Sequence, residues 1–71
     1  MASEYSLSTV LEKIYENQIA IEAALMEVVL LVEQQGHHQA GDNARAALDR
    51  IGKNAGFIKQ GVARLRNKEK D

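Results

Sequence analysis

Side chains of a type and spacing that could do chemistry fall in four places in this 71-residue chain. His37 and His38 stand side by side, as metal ligands or proton carriers can; Glu12 and Glu16 lie one helical turn apart, as bridging carboxylates do. Gly52, Gly56 and Gly61 recur closely enough to suggest a phosphate cradle, and Arg64, Arg66, Lys68 and Lys70 form a basic cluster suited to a polyanion. The first three do not amount to a site. Adjacent histidines do not share a helix face, and no nearby carboxylate or cysteine completes a ligand motif. They read as exposed turn residues. Glu12 and Glu16 lack the Glu-x-x-His partner of a carboxylate-bridged metal centre. The glycines follow neither the dinucleotide nor the phosphate-loop spacing, and no strand precedes them. No nucleophile stands with a base. The sequence therefore assigns no catalytic, cofactor-binding or metal residue, calls for no cofactor, and reads as non-enzymatic.

The basic cluster carries the alternative reading, a nucleic-acid-binding helical hairpin dimer contacting its ligand through Arg64, Arg66 and Lys68. Against it stand a net charge of −1, Glu69 and Asp71 within the cluster, and the lack of a helix-turn-helix, zinc or aromatic-stacking signature. A membrane-surface helix fits less well, because no bulky interfacial aromatics back the basic residues.

The elements that hold these residues follow from composition and period. With no proline, no cysteine and only three aromatic residues, the chain has no helix breaker, no disulfide staple and too few large rings for a sandwich or barrel core. An all-α fold is expected. Leu7, Val10, Leu11, Ile14, Ile21, Ala24, Leu25, Val28, Leu31 and Val32 form an apolar stripe along a first helix, about 7–35, interrupted by Asn17 and Gln18. Thr9 with Glu12 offers a capping box, with Ser6 and Ser8 as rival caps, and Gly36 marks the stop. After a turn over about 36–41, Asp42 or Asn43 caps a second helix, about 43–66, followed by a polar tail. Ala44, Leu48, Ile51, Ala55, Ile58, Val62 and Leu65 make its heptad seam. That seam keeps phase across Gly52 to Gly56, which favours one continuous helix over a break.

Charge then predicts how the helices meet. Residues 1–41 carry a formal balance of −5 and residues 42–71 one of +4. Folding back at the histidines brings Glu12 near Arg66, Glu27 near Arg50 and Glu33 near Arg45 in an antiparallel hairpin. If the main stripe packs on the second helix, a second stripe of Tyr15, Ile19, Met26, Val29 and Leu30, with Phe57, is left as a protein interface. One small core rarely suffices at this length, so a homodimer forming a four-helix bundle is expected, with a heterologous protein as the other candidate partner. The functional expectation is a small adaptor, inhibitor or regulatory subunit acting through an apolar helical face. The polar Met1 to Ser6 lead-in resembles no secretory signal, and Glu22 and Glu27 interrupt the apolar run, so a cytoplasmic protein with no membrane partner is expected.

Overall fold

The computed structural model describes residues 5–70, so most of the Met1 to Ser6 lead-in and the terminal Asp71 lie outside the described residues. Two helices, α1 (Leu7–Gln34) and α2 (His38–Lys70), pack against each other as an all-helical hairpin.

The amino end of α1 is capped by Ser6, whose extended backbone (φ −61°, ψ 156°) places its Oγ to accept the Thr9 N–H at 3.3 Å. This corrects the expected Thr9–Glu12 box. Ser6 supplies the capping oxygen one turn earlier, the Thr9 hydroxyl is held by Ser6 Oγ at 2.9 Å, and Glu12 turns instead to Arg66. At the other end, Gly36 takes φ +88°, and the Gly36 and His37 N–H groups donate to the carbonyls of Glu33 and Val32. This is a Schellman closure, and glycine enters the left-handed region with little of the strain a Cβ would bring.

The closure shortens the expected turn. The His37 carbonyl already accepts the Gly41 N–H at 3.1 Å, so α2 is under way before Asp42, which lies inside the helix rather than capping it. From there α2 runs unbroken through Gly52, Gly56 and Gly61 to Lys70. Its seam is visible as a rhythm of burial: Ala44, Leu48, Ile51, Ala55, Ile58, Val62 and Leu65 are half-buried.

On α1 the structure reverses the expected stripes. Ser8, Tyr15, Glu22 and Val29, seven residues apart, lie on the sheltered side with Leu11, Glu12, Gln18 and Glu33, whereas most of the main apolar stripe faces outward. Pairing explains the rotation. Glu12 meets Arg66, Glu33 meets Arg45, and Ser8 meets Glu69, which requires this side of α1 to face α2. Val29, 2% exposed, is the one fully buried apolar residue among those described.

The hairpin measures 54 × 19 × 10 Å, with a radius of gyration of 16.2 Å. A compact domain of this length would have about 11 Å. One helical layer is present where stable domains ordinarily stack two.

Candidate functional site

The outward side of α1 carries the most concentrated apolar surface of the molecule. Leu7, Ile14, Ile21, Val28 and Leu31 are each between 52% and 58% exposed, with Val10 and Leu25 also exposed beside them. Leu7, Ile14, Ile21 and Val28 recur every seven residues, and Val10, Asn17, Ala24 and Leu31 follow each by three. This is a complete heptad seam, with β-branched residues at three of its first positions.

Its placement relative to α2 matters as much as its composition. The outward seam begins at Leu7 and the inward one at Ser8, and one residue turns a helix by about 100°. Leu11, Gln18, Leu25 and Val32 lie between the seams. A helix in a four-helix bundle has this arrangement: two adjacent neighbours roughly a right angle apart, and a strip between them facing the bundle centre.

The residues expected to form one protein interface are dispersed. Tyr15 is half-buried beside Glu12, Lys59, Val62 and Arg66, and Val29 is fully enclosed by the hairpin itself. Met26 lines a groove with Glu22, Arg45, Leu48 and Asp49, and lies 4.0 Å from Arg45 Nη1. Ile19 and Leu30 are exposed but fall on helical positions away from the outward seam. Phe57, 82% exposed, stands on the opposite edge of α2 and shares an apolar groove with Leu11, Ile58, Gly61 and Leu65. It thus borders the outward seam. The sequence signal for that surface is the seven-residue recurrence of Leu7, Ile14, Ile21 and Val28, although the strength of its apolarity favours the inside.

Charged side chains pair elsewhere on the hairpin. Arg45 Nε and Nη2 donate to the two oxygens of Glu33, each at 2.7 Å, and this fork holds the Glu33 carboxyl below its usual range and raises the Arg45 guanidinium. Lys53 pairs with Asp49 at 3.0 Å along α2, and Lys13 with Glu16 at 3.5 Å along α1. Among the described residues no ion pair joins Glu27 to Arg50, because Glu27 lies on the far flank of the outward seam.

Of the basic residues suited to nucleic acid, Arg66 is engaged by Glu12, Arg64 borders Phe57, Gln60 and Gly61, and Lys68 is exposed near the end of α2. The three do not form a shared anion cradle. Among the described residues no group of three or more His, Cys, Asp or Glu side chains could hold a metal, and no helix is long and apolar enough to cross a membrane. His37 and His38 are both exposed, the first in the turn and the second opening α2. No protein-family model, curated protein or solved structure matches the chain.

Proposed function

We propose that the chain is a non-enzymatic protein-interaction module, a small adaptor, inhibitor or regulatory subunit whose working surface is the outward seam of α1, and that two hairpins associate into a four-helix bundle. The observation that carries this reading is the exposure of Leu7, Ile14, Ile21, Val28 and Leu31 on one face of a helix whose other face is occupied by α2. Such an apolar stripe, interrupted by Asn17, on a small chain marks an interaction surface, and the partner's recognition follows the helix-face mode, with anchors at i, i+3 and i+7.

Light scattering after gel filtration, at several protein concentrations, tests the reading. The expected result is association that Ile21→Glu abolishes and that Met26→Glu, on the charged side, leaves nearly intact. Arg64→Ala is expected to leave it intact as well. If Ile21→Glu associates as the parent chain does, the outward seam is not the working surface.

A further inference from the structure

We infer that the outward seam is covered by the same seam of a second copy, with the two α1 helices antiparallel about a two-fold axis near Ala20 and Lys13 of each copy facing Glu27 of the other. The inference rests on the dimer reading above and adds the face, the direction and the register.

Area argues for a second copy. The chain exposes 5688 Å² at a mass of 7.9 kDa. A compact monomer of that mass exposes roughly 4,400 Å², which leaves about 1,300 Å² in excess per chain. Two chains removing that excess would bury about 2,600 Å², within the range of obligate homodimers. The apolar part of the excess sits on α1, while the edge of α2 beside it carries Phe57 among Asn54, Gly61 and Arg64. The complement to a long aliphatic seam is therefore another α1.

Charge sets the direction. If Leu7 opens the heptad, Lys13 and Glu27 occupy the same flanking position two heptads apart, on the side of the seam away from α2. Each is seven residues from Ala20. In an antiparallel pair this flank meets its own copy, so an axis near Ala20 sets Lys13 against Glu27 twice. A parallel pair would set Lys13 against Gln18 and Glu27 against Val32, leaving the carboxylate beside an apolar neighbour. Among the described residues Glu27 has no ion pair within its own chain, and Lys13 reaches only Glu16, an exposed neighbour. Small residues suit the axis: Ala20, Ala23 and Ala24 allow the helices to approach closely where they cross.

Charge exchange tests the register separately from the dimer. Lys13→Glu and Glu27→Lys are each expected to weaken dimerisation roughly tenfold, since two symmetric attractions become repulsions. The double variant is expected to return to within about threefold of the parent chain. Loss of the Lys13–Glu16 pair cannot produce that rescue, because residue 27 lies about 21 Å along the helix from residue 13. A second measurement uses the lack of native cysteine. A mixture of Lys13→Cys and Glu27→Cys chains is expected to oxidise to the mixed disulfide, with little of either homodisulfide. A parent chain that is dimeric but shows no rescue and forms no mixed disulfide would overturn the antiparallel register while leaving the dimer in place. A parent chain that stays monomeric at all concentrations would overturn both, and would give the seam to a foreign protein.

Discussion

Glu69 does at the amino end of α1 what a nearby residue ordinarily does for a helix: its carboxylate accepts the Ser8 N–H at 3.0 Å and the Ser8 hydroxyl as well. A negative group at this end also meets the positive pole of the helix. These hydrogen bonds from Ser8, first the hydroxyl and then the backbone amide, hold the Glu69 carboxyl below its usual range, as the Arg45 fork does for Glu33. Both folded values lie below the unfolded ones. The stabilisation from each is therefore complete above the ordinary glutamate range, about pH 4.3, and is lost as the pH falls through the folded values. An acid titration followed by circular dichroism should show a loss of stability in that window, smaller in Glu69→Gln and Glu33→Gln than in the parent chain. An unchanged acid limb in both variants would contradict the assignment. Ser6 contributes separately as the local cap, and Ser6→Ala is expected to cost about 1 kcal/mol in denaturant unfolding.

For whole elements, the glycines of α2 differ in what surrounds them. A Cβ at Gly52 or Gly56 would meet nothing within 4 Å, whereas one at Gly41 would lie 2.6 Å from Glu33 Cγ and 2.8 Å from its Oε2. Gly52→Ala and Gly56→Ala should each stabilise the fold by about 0.5–1 kcal/mol, through helix propensity and a less free unfolded chain. Gly41→Ala should show no such gain, because Glu33 is tied to Arg45 and must be displaced. Thermal unfolding of the three variants checks the contrast; equal gains at all three positions would mean that Glu33 moves freely. The continuity of α2 was legible from its seam, since Ile51, Ala55 and Ile58 stay in phase across the glycines, and so were the Glu12–Arg66 and Glu33–Arg45 pairings. The start of α2 was not: Asp42 has the chemistry of a cap, but the Gly36 closure fixes the reversal earlier. The facing of α1 was also hidden, because one helix carries two heptad seams and periodicity alone cannot say which of them meets α2. The long-range partners of Glu12, Glu33 and Ser8 make that choice.

The same choice decides how the molecule as a whole is held together. With Val29 as the one fully buried apolar residue described, the two helices share little beyond a half-buried seam and three polar ties. Surface ion pairs stabilise little, so the Glu12–Arg66 and Glu33–Arg45 ties orient the hairpin more than they stabilise it. Ordering a chain of this length costs on the order of 1 kcal/mol per residue or more, which apolar burial must offset. The outward seam of α1 is where that burial remains to be made, so on the proposed pairing association and folding are one transition. Dilution should then lower helical content and molecular mass together, and the unfolding midpoint should rise with protein concentration. Ile21→Glu, with a charge at the centre of the seam, should lose helicity at concentrations where the parent chain keeps it. Circular dichroism and light scattering on the same dilution series distinguish the cases: a fully helical monomer, stable at every concentration, would show that the hairpin stands without its partner and that the seam serves binding alone.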